Sequence, residues 1–323
     1  MTSADEYSFD ELMDGIHFEM VYTMWCFVWP SYVIRSSLFS SLISKIQSGL
    51  YTYSDPLTLE EKDILSSAND AVIRITKISV YVYIFGAGGI FMKGVNKEKM
   101  RKLQLPNIGW LPFAITSLPR YALGCLCQAI IGVNTVSIVI GTFMSFATLF
   151  IHYGAQFKLL RARLRGCFPE NVALEKAQED IYKEKTIRKL KDCYNHHLAI
   201  LRFHQELLKY YGVLLLVFRV AIVFWLCTLA YVSIIVDLLY VLLFSIRGQD
   251  VTEWSYELHD ELYSIQWWEQ PKEVQSNIKT MISGTAKPLV LYGVWDIALY
   301  SHESLSDICN ESYSFFNMLR AFN

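Results

Sequence analysis

The 323 residues carry 29 Lys or Arg against 31 Asp or Glu, a net charge of -2, which excludes both the basic footprint of a nucleic-acid binder and a strongly acidic chain. At 53% apolar and 15% aromatic, with positive mean hydropathy, the chain departs from two water-soluble domains and fits one polytopic helical bundle. Seven cysteines (26, 125, 127, 167, 193, 227 and 309) lie scattered in or beside apolar runs and read as small hydrophobes, not as a disulfide framework.

The first fifteen residues, MTSADEYSFDELMDG, are acidic and lack the basic start of a cleavable signal peptide, so an internal apolar segment must direct insertion. The apolar stretch 20–34 predicts a first span if helix continues to residue 43, with a kink at Pro30. Residues 54–69 are polar, and Thr58 with Glu61 three positions on predicts a capped short helix in the cytoplasm or at the interface. A second span is predicted over 78–92, which holds the cluster Gly86, Ala87, Gly88, Gly89. Pro106, Pro112 and Pro119 make 93–120 a connecting loop. Then come thirty-one positions, 121–151, without one Asp, Glu, Lys, Arg or His. A bilayer core needs only about 20 apolar residues of helix, so this is the strongest span in the chain.

Residues 152–205 interleave Lys and Arg with acids in the pattern of salt-bridged helix in water. In 210–246 only Arg219 and Asp237 are charged, and a helical hairpin and one long bent helix both fit; across a hairpin those two would pair. Residues 248–277 turn polar again, and 288–322 predict a last helix of roughly 50 Å. On it Asp296, Glu303, Asp307 and Glu311 fall within an arc of about 80°, with Tyr300 and Ser314. Burying such charges in lipid costs about 2.5 to 3.5 kcal/mol each, so this face should meet water or protein, either as a cation path or as a packed, ion-paired seam.

Residues 249–268, QDVTEWSYELHDELYSIQWW, then Lys287 and Pro288 and SYSFFNMLR at 312–320, resemble the closing signature of insect odorant receptors. CYNHHLAILRF at 193–203 and LEEKDILSSANDAVIRI at 59–75 are similar to the same family's cytoplasmic segments. The resemblance implies an all-α transmembrane bundle of seven helices, of which this chain has about six, forming a single receptor domain over 1–323. Cytoplasmic helical extensions would occupy about 152–209 and 248–287, and the pore-type last helix about 288–322. It further implies an odorant-binding subunit of a ligand-gated, non-selective cation channel, a heterotetramer with the family's co-receptor in the plasma membrane of olfactory neuron dendrites. By this alignment the family's first helix has no counterpart and 210–246 is short for a fifth and sixth, as in a truncated, nonfunctional receptor. The other alternative is a non-channel receptor or transporter subunit, in which intramembrane charges would serve binding or proton coupling.

In such proteins the volatile ligand occupies an apolar, aromatic cavity in the outer half of the bundle. The positions this implies are Met20, Met24, Tyr83, Ala87, Ile90, Gln128, Ile131 and Tyr231. The hydrophobic gate would fall on Phe316, Leu319 and Arg320. Phe316 lies about 180° from the acidic centre line, so both faces cannot line one narrow pore. The resemblance gives the gate to Phe316 and leaves the acids as an outer vestibule or an intersubunit seam.

No enzyme, cofactor or nucleic-acid partner is indicated. Cys193, His196 and His197 lack a fourth metal ligand and adjacent histidines diverge on a helix, so surface histidines are expected there. The GAGG at 86–89 has no strand-to-helix context and reads as close helix packing in lipid.

Overall fold

Long helices fill most of this chain between its widely spaced prolines. A computed structural model describes residues 26, 28–94, 100–105, 111–168, 176–229, 235–265, 267–270, 272–293 and 299–321. Helix over 28–34 is interrupted at Arg35 and resumes as α1 (Ser36–Ser48), which Gly49 ends with a positive φ of 78°. The helical run is interrupted at Arg35, whose guanidinium donates to the Tyr210 carbonyl at 2.9 Å. After Pro56 comes α2 (Leu59–Gly94), then α3 (Leu118–Arg165), with Pro119 in the first turn where its missing N–H costs nothing. Next are α4 (Lys176–Leu229), α5 (Ile235–Ser264), α6 (Lys272–Thr285) and α7 (His302–Ala321).

Three expectations change. The capped helix at Thr58 and the second span are one 36-residue helix, because no proline separates them; the cap itself forms, with the Thr58 N–H on Glu61 Oε2 at 2.8 Å and the Glu61 N–H on Thr58 Oγ1 at 3.3 Å. The stretch 210–246 holds the end of α4 and the start of α5, so it is a hairpin, and α4 joins the charged run to the apolar run in one 54-residue rod. The last helix is 20 residues, not about 35: Pro288 and an isolated antiparallel bridge between Tyr292 and Leu299 precede it, and helix starts only at His302. Asp296 is therefore not on the helix that carries Glu303, Asp307 and Glu311, and it lies outside the described residues.

α3 and α4 form the spine. Phe146, Phe150, Tyr153 and Phe157 recur at four, three and four, placing them on one face of α3. Phe203, Leu207, Tyr210, Leu214 and Phe218 form the facing stripe of α4. Their rings interlock with α5: Phe146 meets Phe244 edge-on at 4.5 Å and Tyr211 at 5.3 Å, and Tyr153 meets Phe203 at 5.4 Å. α2 packs along α3, while α7 packs on α4 and α5.

Among the described residues one helix, α3, is long and apolar enough to cross a membrane, by length and composition. α2 adds an apolar exposed surface: Ile73, Ile78, Val80, Tyr81, Val82, Ile84 and Phe85 all face outward. A contiguous apolar exterior of that size needs an apolar solvent or a partner. Where charge returns, at the end of α3, three arginines bind the bundle together. Arg165 makes two 2.7 Å bonds to Glu261, Arg161 bonds Glu257, and Arg163 pairs with the buried Glu61 at 2.8 Å, off the hydrogen-bonding direction.

Among the described glycines, the two tightest approaches are at Gly154 and Gly248. A methyl group on Gly154 would stand 2.5 Å from the Trp254 ring, and one on Gly248 would stand 2.0 Å from the Tyr300 carbonyl oxygen. The second obstacle is backbone and cannot swing away. Gly248→Ala is expected to lower the thermal midpoint of the detergent-solubilised chain by the equivalent of about 1–3 kcal/mol, and more than an Ala placed at exposed Gly141, where the space is open. Equal midpoints for the two variants in a thermal-aggregation assay would contradict this packing.

Candidate functional site

The first half of α3 buries Tyr121, Gly124, Gln128 and Gly132, a stripe at three, four and four positions. Gln128 is 8% exposed within the charge-free 121–151 stretch of α3, and Ile131 is half-buried one step round. On α2, Tyr83 is also half-buried, and Ser137 of α3 donates to its hydroxyl at 3.3 Å. Of the eight predicted ligand positions, the structure describes the side chains of three: Tyr83 at the α2–α3 contact, and Gln128 and Ile131 on α3. Ala87 and Ile90 follow Tyr83 on α2, but their side chains are outside the description, and Met20, Met24 and Tyr231 lie outside the described residues. This end of the bundle offers apolar surface with sparse hydroxyl and amide groups, the makeup that holds a small neutral organic molecule.

α7 buries one narrow stripe, Ser304, Ile308 and Ser312, and exposes most of the rest. Its first turn is closed by Ser301, whose Oγ accepts from the Ser304 N–H at 3.2 Å while Ser304 Oγ accepts from the Ser301 N–H at 2.8 Å. Glu303, Asp307 and Glu311 are exposed, as a face meeting water or another subunit requires. Arg219 reaches this helix, bonding the Ser304 carbonyl at 3.0 Å and Glu311 at 3.4 Å. Arg219 therefore ties α4 to α7, a pairing across elements that helical spacing could not reveal. Phe316, Leu319 and Arg320 occupy the last turns of α7, with side chains outside the description; Tyr313, Phe315 and Met318 beside them are exposed.

At the charged end of the bundle the histidines expected on the surface are buried: His196 is 0% and His197 4% exposed. His196 lies between Tyr53, whose hydroxyl is 2.5 Å from Nδ1, and Gln156, whose Oε1 is 3.0 Å from Nε2. Burial, then the neighbouring His197 and Arg163, push the His196 pKa down to about 3. Burial alone pushes His197 to about 4, and its two ring nitrogens have no hydrogen-bond partner among the described residues. His204 is likewise lowered by burial to about 4. Cys193 meets Cys167 at 3.9 Å; that contact and burial raise its thiol well above the ordinary range, so it is an inert packing group. Among the described residues no three His, Cys, Asp or Glu are grouped to hold a metal ion.

These features define a helical membrane receptor chain with an apolar seam at one end and a polar, arginine-bound layer at the other. The family model "7tm Odorant receptor" matches residues 8–305, and the chain belongs to that family. It is a transmembrane odorant receptor of the insect type. Its fold is similar to the structure of the insect olfactory receptor OR5 from Machilis hrabei, with a TM-score of 0.77 at 14% identity, covering 98% of this chain and 83% of that one. The same receptor in complex with eugenol superposes with a TM-score of 0.70 at 15% identity over the same shares of both chains. No curated protein sequence matches.

The buried histidines set an acid limit. Each is neutral when folded and has an ordinary value of 6.5 when exposed, so its stabilising contribution is complete above pH 6.5 and is lost as pH falls toward 4 for His197 and His204 and toward 3 for His196. Below pH 6.5 each histidine costs up to about 1.4 kcal/mol per pH unit. His197→Leu removes a buried imidazole with no hydrogen-bond partner among the described residues, so it should leave stability at pH 7.5 equal or higher and flatten the decline between pH 6.5 and 4. Thermal midpoints measured across that range would contradict the assignment if this variant declined as steeply as the natural chain.

Proposed function

We propose that this protein is the odorant-binding subunit of a ligand-gated, non-selective cation channel, assembled with the family's co-receptor in the plasma membrane of an olfactory neuron. Family membership supports odorant detection, and the eugenol complex of the similar OR5 supports a small aromatic or aliphatic volatile as the ligand class. The observation that carries channel assembly is α7. It packs one stripe against its own chain and leaves Glu303, Asp307 and Glu311 uncovered along its first turns and Tyr313, Phe315 and Met318 uncovered in its last turns. A helix left uncovered on most of its surface, acidic toward one end and apolar toward the other, fits a place between a neighbouring subunit and an aqueous path. In this reading the charged ends of α3 and α5 lie in the cytoplasm, Phe316, Leu319 and Arg320 narrow the pore, and the acids form its vestibule or the seam beside it.

The ligand would enter the outer half of the bundle, between the segment that includes Met20 and Met24, the Tyr83–Ala87–Ile90 face of α2, Gln128 and Ile131 of α3, and the start of α5 near Tyr231. A volatile offers few polar atoms, so affinity follows buried apolar area at about 25 cal/mol per Å², and one hydroxyl or amide sets orientation. Gln128 is the group best placed for that, being buried in an otherwise apolar stripe.

Co-expression with a co-receptor should yield odour-evoked cation current that depends on this chain. Gln128→Leu and Tyr83→Ala should each shift the half-maximal odorant concentration by about tenfold, equivalent to about 1.4 kcal/mol. Surface-expressed complexes that never conduct would sink the channel reading. Unchanged dose–response curves for both variants would move the ligand elsewhere.

A further inference from the structure

A cavity lies toward the charged end of α3, about 40 Å along the helix from Gln128 at 1.5 Å per residue. It encloses about 630 Å³ between the end of α1, the 51–57 connection, the first turns of α2 and the stretch of α3 from His152 to Leu159. That volume lies within the range of small-molecule sites, about 300–1,000 Å³. We propose that this cavity binds a neutral amphiphile, a hydroxyl head on a ring-bearing apolar body, at the membrane interface where the charge-free part of α3 ends.

The lining favours that chemistry. Leu57, Leu65 and Leu159 supply apolar wall. Interleaved with them stand Gln47, Thr52, Asn69 and His152, which have no side-chain hydrogen bond to another described residue, so donors and acceptors are free for a polar head. Among the described residues no Lys or Arg lines the space, which disfavours a phosphate, and the one lining carboxylate among them, Asp55, is already paired with Arg188 at 3.1 Å. A permanent charge of either sign would therefore be desolvated without an opposite partner, whereas a hydroxyl can both donate and accept.

The wall is fixed before any ligand arrives. The Tyr51 hydroxyl donates to Asp192 at 2.8 Å, the Ser54 N–H donates to the same carboxylate at 3.2 Å, and Tyr53 meets His196. Arg163 lies over the Tyr53 ring at 4.3 Å and donates to the Pro56 carbonyl at 3.2 Å. Holding a seven-residue connection so firmly around an open volume lowers the ordering cost of binding there. Two sources supply the chemistry: a sterol of the leaflet, or a free phenol or alcohol that has partitioned into it.

Photolabelling of the full-length chain in lipid nanodiscs tests the site, with three diazirine probes: an alkylphenol, a 3β-hydroxysterol and a phosphatidic acid. Crosslinks are mapped by mass spectrometry. One or both hydroxyl probes should concentrate on 46–57, 65–69 or 152–159, the phenol alone indicating a free molecule and the sterol alone a resident lipid. Asn69→Trp and Gln47→Trp, exposed positions on different helices, should each fill the space and cut that labelling about tenfold, leaving labelling elsewhere unchanged. Should one variant not fold, the other decides. Labelling spread along the exposed face of α2 without enrichment here, labelling indifferent to both tryptophans, or strongest labelling by phosphatidic acid would overturn the proposal. The readout is a crosslink, not a current, so its failure leaves the channel reading standing, and a silent channel leaves this site standing.

Discussion

A helix with thirty-one charge-free positions followed by Arg161, Arg163 and Arg165 must rest with its two parts in different surroundings. α3 is that helix, and the other elements are arranged on it. Its aromatic face organises α4 and α5, and its arginines reach α2 and α5 where water is available to solvate them. Because neither α3 beyond its first turn nor α4 contains proline, apolar and polar parts are rigidly continuous, so a displacement at one end is carried to the other without a hinge in the helix itself.

That continuity explains how a seam at one end can bear on α7. Arg219 and the Leu215 carbonyl of α4 hold, respectively, Ser304 with Glu311 and the Tyr300 hydroxyl, the latter at 2.7 Å. Gly248 lets α5 lie against Tyr300 from the other side. The entry to α7 is therefore gripped by the two helices that follow α3 in the chain. Movement of either one relative to α3 shifts the start of α7 directly.

Much of this was legible in the sequence, because composition and periodicity are local. The charge-free run gave α3 and the Thr58–Glu61 spacing gave the α2 cap, whereas the late start of the last helix, fourteen residues after Pro288, was not legible. What could not be read depends on contacts between distant residues. Arg219 has Asp237 as its nearest charged neighbour in the apolar stretch, yet its partner is Glu311, 92 positions away. His196 and His197 look like surface residues in a charged run, and only the meeting of α4 with the 51–57 connection and α6 buries them. The one available signal was the apolar period through Cys193, His196, Ile200 and Phe203, which repeats at three, four and three. For the ligand site, spacing could place Gln128 and Ile131 on one face, but the seam with Tyr83 needs the packing of α2 on α3.

The central claim is that α3 crosses the membrane with its charged end in the cytoplasm. Thr116 and Lys158, both exposed, flank the crossing and can be replaced singly by cysteine, with the natural chain as the labelling blank. A membrane-impermeant maleimide applied to intact cells should modify the Thr116→Cys chain and should modify Lys158→Cys only after permeabilisation. Modification of both positions in intact cells, at equal rates, would contradict the account.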